Sequence, residues 1–246
     1  SDSPNFQNLP IRDAEMGKTI RTCFLPSEDG VLVEIDYSGI EVRISACYNH
    51  DPVLADYITD PDLDMHRDMA AECYKLDADE VSKATRYCGK NCFVFPQFYG
   101  DYFLNNAVQL WDAVDRMSLA RVSDGVDLKQ HLAEHGVKRR GECNPKERPR
   151  AGTFEAHVQS VENDFWNDRF SVYRDWKKDW WRRYQKRGGF PLLTGFYCEG
   201  VFRRNDVINY PVQGSAFHCL LWSLIKLNKR IRKRKMRAKI VGQIHD

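Results

Sequence analysis

The chain has 246 residues, 42% of them hydrophobic, enough for the core of one large domain or two small ones. Its 37 basic and 35 acidic residues leave a formal charge of +2, which decides little because the charges are unevenly spread. No apolar run reaches the length of a membrane span, the start lacks a basic-then-apolar signal, and none of the eight cysteines forms a C-x-x-C pair. A membrane, secreted, disulfide-scaffold or zinc protein is therefore not expected, and the thiols read as reduced core residues of an intracellular protein.

In chain order, Ser1 to Arg12 is rich in Ser, Asn, Asp and Pro and reads as a polar loop or extended segment. Val31, Leu32, Val33 and Ile35 have the composition of a strand buried on both faces of a sheet, with Asp36 at its end. A carboxylate on a rigid sheet rim suits Mg²⁺, which takes a few oxygen ligands and keeps its waters and a phosphate. Ser38 can cap a following helix whose third residue is Glu41, and Val42, Ile44, Ala46 and Cys47 suit its packed face. Asp62 to Leu76 opens a second helix. In Val81 to Gly100, Arg86 and Lys90 lie four apart and so share one helix face. Two cations placed together gain nothing from each other, and a triphosphate would explain them.

Trp111 to Gly152 is mixed and polar, with a short helix at LKQHLAEHG and an exposed basic loop at KRRGECNPKERPR. Phe165, Trp166, Phe170, Tyr173, Trp176, Trp180 and Tyr184 then recur as the apolar stripe of an amphipathic helix ended by Gly188-Gly189. Leu192 to Phe202 reads as a hairpin. Leu220, Leu221, Leu224, Leu227 and Ile231 form a helix stripe that runs into Lys226 to Lys239, which holds nine Lys or Arg and no acid. Such a block is either a solvated face or a phosphate contact. The last residues, Lys239 to Ile244, read as a strand ending in His245-Asp246.

Several stretches together resemble the family A, polymerase I-like DNA polymerases. Asp36-Tyr37-Ser38-Gly39-Ile40-Glu41-Val42-Arg43 looks like motif A, Arg86 to Gly100 like motif B, and the terminal His245-Asp246 like the first half of motif C. Asn209-Tyr210-Pro211-Val212-Gln213-Gly214-Ser215-Ala216 matches the N-x-P-x-Q-G-[ST]-A element, although Asn205 stands where Arg is expected. SDSPNFQNLPIR is similar to the D-P-N-L-Q-N-I-P-x-R stretch, and Asp64-Met65-His66 to a D-I-H element. Motif B departs from R-x3-K-x3-[FY]-G-x2-Y-G: the stretch from Lys90 to Tyr99 is one residue longer, and Pro96 replaces Gly. Counting back from Tyr99 puts Phe95 at the base-stacking position, and counting forward from Lys90 puts Val94 there. Either a π-bulge absorbs the extra residue or one half is differently registered, and Phe95 is the reading adopted.

The resemblance implies an α+β fold: a polymerase palm, an antiparallel sheet with helices, plus a mostly helical fingers subdomain, with the thumb absent. The palm would comprise residues 1–60 and 191–246 and the fingers 61–190, with an insertion in the 111–188 region suggesting a phage-like branch. The implied activity is template-directed DNA synthesis, adding deoxynucleotides to a primer 3′-hydroxyl, with Asp36, Asp246, Lys90 and Arg86 as catalytic residues. Asp36, Tyr37 and Asp246 would hold two Mg²⁺ ions, with Mn²⁺ able to substitute. The dNTP would meet Tyr37, Glu41, His66, Arg86, Lys90, Phe95 and Tyr99, with Glu41 filling the space of a ribose 2′-hydroxyl. The primer-template DNA would meet Asn5, Gln7, Asn8, Arg43, Asn209, Gln213 and His245. Because the chain stops inside motif C, a truncated piece or one half of a split enzyme, completed by a second polypeptide, is also expected, and the isolated chain is expected to be inactive or weak. Cytoplasm of a bacterial cell or phage-infected host is the expected location. The alternatives are a non-catalytic nucleic-acid-binding module and a single-subunit RNA polymerase relative, which lacks the Glu41 gate.

Overall fold

Side chains that accept the free amides of a first helical turn decide where the short helices begin. The computed structural model describes residues 14–142 and 144–243. They divide into two units, one of Val42–Val212 and one assembled from Ser1–Glu41 and Gln213–Asp246. After α1 (Ala14–Arg21) comes α2 (Ile40–Asn49), so that Glu41 is the second helical residue rather than the third. Asp51 accepts the Leu54 amide at 3.1 Å and starts α3 (Pro52–Thr59), whose first residue is a proline that needs no amide partner. Asp64 accepts the amides of His66 and Arg67 and starts α4 (Met65–Tyr74). Ser82 does the same for α5 (Lys83–Cys88), each such cap contributing about 1 kcal/mol.

Beyond α5 the backbone widens into a π-helical turn, Gly89–Val94, and continues as α6 (Phe95–Tyr99). Gly100, at φ +91°, ends it in the left-handed conformation that a side chain would strain. Then come α7 (Phe103–Met117), α8 (Leu128–Glu134), α9 (Phe154–Asp164) and α10 (Ser171–Arg187). The exposed basic loop 138–150 joins α8 to α9, as the sequence leads one to expect.

The core of the larger unit is aromatic. Tyr74, Phe93, Phe154, Phe165 and Phe170 are fully buried, and Phe93 meets Phe165 edge-on with ring centroids 5.4 Å apart. Phe98 packs on Phe165, Phe170 and Tyr173. The stripe expected on one helix is therefore core, but a second π-helical turn, Phe165–Arg169, interrupts it and Phe170 turns at φ −114°, ψ 43°. That offset sends Phe165 and Phe170 into the same cluster, their centroids 4.7 Å apart.

A smaller core of Tyr184, Phe190, Leu192 and Val207 holds the hairpin. Its strands are β1 (Gly189–Pro191) and β2 (Tyr197–Glu199), paired antiparallel with Phe190 opposite Cys198. The first strand thus starts ahead of the expected Leu192, because buried Phe190 anchors it. Tyr184 Oη donates to the Gly200 carbonyl and accepts the Phe202 amide. The last helix, α11 (Arg204–Lys233), carries Pro211 inside it.

Two expected strands are not formed. Val31, Val33 and Ile35 are 83%, 76% and 76% exposed and outside any strand, and residues 239–243 are likewise irregular. A strand needs a neighbour for its amides and carbonyls, and among the described residues none lies beside either stretch. The fold remains helices plus antiparallel strands, with the sheet reduced to the hairpin. No helix among the described residues is long and apolar enough to cross a membrane.

Gly89 marks a close helix crossing: a Cβ there would lie 2.7 Å from both the Ala70 Cβ and the His66 carbonyl oxygen. Gly89→Ala should destabilise the protein by about 1–3 kcal/mol, read as a lower midpoint of chemical denaturation with unchanged slope.

Candidate nucleotide site

The π-turn carries the extra residue of the Arg86 to Gly100 stretch. The Phe95 amide donates to the Lys90 carbonyl, an i to i−5 bond, where an α-helix would use i−4. An inserted residue would otherwise rotate everything after it by about 100°. With it absorbed, Phe95 lies beside Lys90, whose Nζ is 5.0 Å from the ring centroid, and beside Tyr99, at 6.3 Å between rings. Val94, the other candidate from counting, is fully buried in the core.

Four elements of the larger unit meet at this face. His66, on the first turn of α4, is 5.7 Å edge-on from Phe95. Arg86, on α5, donates from Nε to Asp64 Oδ2 at 2.5 Å. Asp64 thus does two jobs, capping α4 with one oxygen and holding the guanidinium with the other. Arg86 has no other partner among the described residues, so its terminal N–H groups are available. At the far end, Asn209 donates to the Tyr99 carbonyl at 3.2 Å, and Gly100 leaves room for Asn205, whose Oδ1 would lie 2.8 Å from a Cβ there. The N-x-P-x-Q-G element and the motif B helix are thereby tied together.

The electrostatics are those of a site short of negative charge. Burial, then the Arg86 and Lys90 charges, push His66 down to about 4, with Asp64 opposing weakly. Its Nδ1 is buried with no hydrogen-bond partner. Burial works to raise the Asp64 carboxyl, but the Arg86 hydrogen bond and the Arg67 amide outweigh it and hold it below its ordinary value. A neutral imidazole and two cations on one face is an arrangement that an anion relieves.

The other expected residues fall as follows. Asp36 and Tyr37 are exposed in the smaller unit. There the Tyr37 hydroxyl shares a hydrogen bond with Ser223, and Asp36 has no partner among the described residues. Glu41 is half-buried, whereas Arg43 and Gln213 are exposed. Asn5, Gln7, Asn8, His245 and Asp246 lie outside the described residues. Among the described residues no group of three or more His, Cys, Asp or Glu is placed to hold a metal. Of the expected metal ligands, Asp36 is described and offers an exposed carboxylate, the kind of oxygen donor a hard cation uses.

Sequence reasoning missed the support behind this face. Gln97 donates to Asn106 at 2.6 Å and to Glu162 at 3.1 Å, and accepts from Trp166 Nε1 at 2.7 Å. Lys177 lies 3.3 Å above the Trp166 ring, and burial, then Arg204, push it down to about 7 against the pull of Glu162. These partners are up to 69 residues apart, and no local pattern marks them. Cys73, Cys88 and Cys92 are buried as expected and in no disulfide, whereas Cys23 and Cys47 are exposed and so are not core residues.

Comparison with known proteins adds an independent line. Residues 1–110 match the model of the family described as DNA polymerase family A. DNA polymerase I of Bacillus subtilis is 29% identical over 251 residues, covering 100% of this chain and 24% of that protein. DNA polymerase I of Bacillus caldotenax is 28% identical over 252 residues, again with 100% and 24% covered. A solved structure, the POL domain of Pol1 from M. smegmatis in complex with DNA primer-template and dNTP, superposes with a TM-score of 0.66. It is 24% identical, and the match covers 99% of this chain and 37% of that one.

The fold is thus that of a DNA polymerase domain. The first 110 residues match DNA polymerase family A, and the whole chain is similar to polymerase I proteins. It spans about a quarter of the length of the curated relatives it matches.

For His66 the sign of the pH dependence follows directly. Its folded value lies below its ordinary 6.5, so between about 6.5 and 4 the unfolded chain binds a proton that the folded one refuses, and stability falls as pH falls through that window. An NMR titration should place the His66 midpoint near 4, and Lys90→Gln should raise it toward 6.5.

Proposed function

We propose that this protein carries out template-directed DNA synthesis, joining deoxynucleotides from dNTPs to a primer 3′-hydroxyl with release of pyrophosphate. The observation that carries this reading is the single face on which a π-turn sets Lys90 beside Phe95 and Tyr99, with Arg86 and His66 adjoining. Residues 61–190 serve as fingers, and residues 1–60 and 191–246 as palm.

In-line phosphoryl transfer asks a protein mainly for positioning and charge. Arg86 and Lys90 bind the β- and γ-phosphates and neutralise the charge that grows on the leaving pyrophosphate. Asp64 keeps the Arg86 guanidinium aimed, leaving its terminal N–H groups for the phosphate oxygens. The free Nδ1 of His66 supplies or accepts a hydrogen bond beside them, and bound phosphate offsets the cations that keep the ring neutral. Phe95 offers its exposed part as a stacking surface for the base, with Tyr99 beside it. Asn209, Gln213, Arg43 and the amides of Asn5, Gln7 and Asn8 meet the primer and template, with His245 near the primer end.

Asp36, the Tyr37 carbonyl and Asp246 would hold two Mg²⁺ ions, or Mn²⁺ in their place, and such ions supply Lewis-acid stabilisation to the entering and leaving oxygens. Glu41 occupies the room a ribose 2′-hydroxyl would need, and this separates the reading from a single-subunit RNA polymerase. The basic tract from Lys226 to Lys239 favours a second reading, a nucleic-acid-binding module without catalysis.

Primer extension separates the two readings. Synthesis should require a divalent cation and stop on chelation, and Lys90→Ala or Arg86→Ala should lower kcat by about 10²- to 10³-fold with folding retained. Binding of primer-template without extension, with or without metal, would leave only the module. Glu41→Ala should raise ribonucleotide incorporation relative to deoxynucleotide, and unchanged discrimination would remove that role.

A further inference from the structure

The loop between α8 and α9 holds a concentration of unpaired positive charge outside the nucleotide face. Residues 138–150 carry Lys138, Arg139, Arg140, Lys146, Arg148 and Arg150 against Glu142 and Glu147. The loop is anchored at both arms. The Lys138 amide donates to the Gly152 carbonyl at 3.2 Å, and the Phe154 and Glu155 amides donate to the carbonyls of Arg139 and Arg140 at 2.8 and 3.1 Å. Gly141, at φ +108°, turns the chain where a Cβ would collide with the Glu155 carboxylate.

This pinning folds the two arms around a cavity of about 500 Å³, lined by Arg139 and Arg140 from the first arm and Arg148 and Arg150 from the second. The floor is Trp111, half-buried, with Lys129 Nζ 5.1 Å above its ring. Of the four carboxylates that line it, Asp112 pairs with Arg140 at 3.5 Å, Glu147 accepts from Asn144 and Glu155 is 3% exposed, which leaves exposed Glu142 as the one acid facing four arginines and a lysine without a partner among the described residues. Arg139, Arg148 and Arg150 are exposed and form no ion pair among the described residues. Three guanidinium forks converging on one opening make a receptor for phosphate oxygens, which each fork can hold two at a time.

We propose that this loop is a second nucleic-acid contact, in which Arg139, Arg148 and Arg150 grip the phosphodiester backbone of the strand the protein acts on. The proposal rests on the polymerase reading for the identity of that strand and adds a site that no motif of the chain marks. Its contacts go to phosphates, so they hold position without reading sequence.

The test measures binding of the whole chain to a fluorescent primer-template with a single-stranded overhang, and to the blunt duplex, across a salt series. The triple variant Arg139→Gln, Arg148→Gln, Arg150→Gln should bind the overhang substrate about tenfold or more weakly near 0.1 M salt and lose about two from the slope of log K against log salt. Loss on both substrates assigns the contact to duplex, and loss on the overhang alone to single strand. The triple Lys variant should keep the slope while binding less tightly, because it keeps the charge and loses the fork. An unchanged slope and affinity would overturn the proposal, leaving the cluster to an acidic protein partner. Primer extension by the wild type is read alongside. If it extends and the variant binds unchanged, this inference fails alone; if it does not extend but its binding depends on the three arginines, the polymerase reading fails alone.

Discussion

One backbone distortion governs the candidate site: the i to i−5 bond from the Phe95 amide to the Lys90 carbonyl. A regular helix with the same sequence would rotate its aromatic half about 100° away from its cationic half. The π-turn restores the phase, and it also decides what goes inward. Phe93, Val94 and Phe98 point into the core, while Phe95 and Tyr99 remain partly exposed next to Lys90. A wide turn packs its backbone less efficiently than an α-helix. It persists here because Phe93 and Phe98 are locked against Phe165, itself at a second π-turn that adjusts the opposing element.

The charge arrangement follows from the same packing. With α4 crossing the π-turn at Gly89, the half-buried His66 ring lies within reach of the charges of both Arg86 and Lys90 and stays neutral. Asp64 offsets part of the excess, and its oxygens are divided between the helix start and the guanidinium. The site is therefore preorganised in geometry and unsatisfied in charge. A triphosphate is a natural complement to that combination, and a structural ion pair alone would not leave the rest of the Arg86 fork open. The loop with Arg139, Arg148 and Arg150 shows the same logic at lower density: cations held in place by backbone bonds, with too few acids to answer them.

Much of this was legible in the linear chain. Capping at Asp64 and Ser82 is local, its partners lying two or three residues on, yet the only cap read from the sequence was Ser38 ahead of Glu41. The aromatic stripe from Phe165 to Tyr184 reads as core because burial of so much apolar surface dominates any local preference. Arg86 and Lys90 share a face by spacing alone, and the family resemblance is carried by short motifs whose order along the chain is itself information.

The sequence by itself determined the helices at Asp62 to Leu76, at LKQHLAEHG and along the Phe165 to Tyr184 stripe, which residue types gather at the motifs, and that the Lys90 to Tyr99 stretch had a residue too many for the family pattern, whereas the helices Pro52–Thr59, Phe103–Met117 and Phe154–Asp164 emerged only in the fold. Tertiary structure alone decided where that residue went, because the π-turn leaves Phe93 and Phe98 packed against Phe165 and Phe170, contacts that no local pattern encodes. It also decided that Val31 to Ile35, apolar enough for a buried strand, stands exposed among the described residues. A strand is a property of two segments, and no single segment encodes the neighbour that would complete its hydrogen bonds.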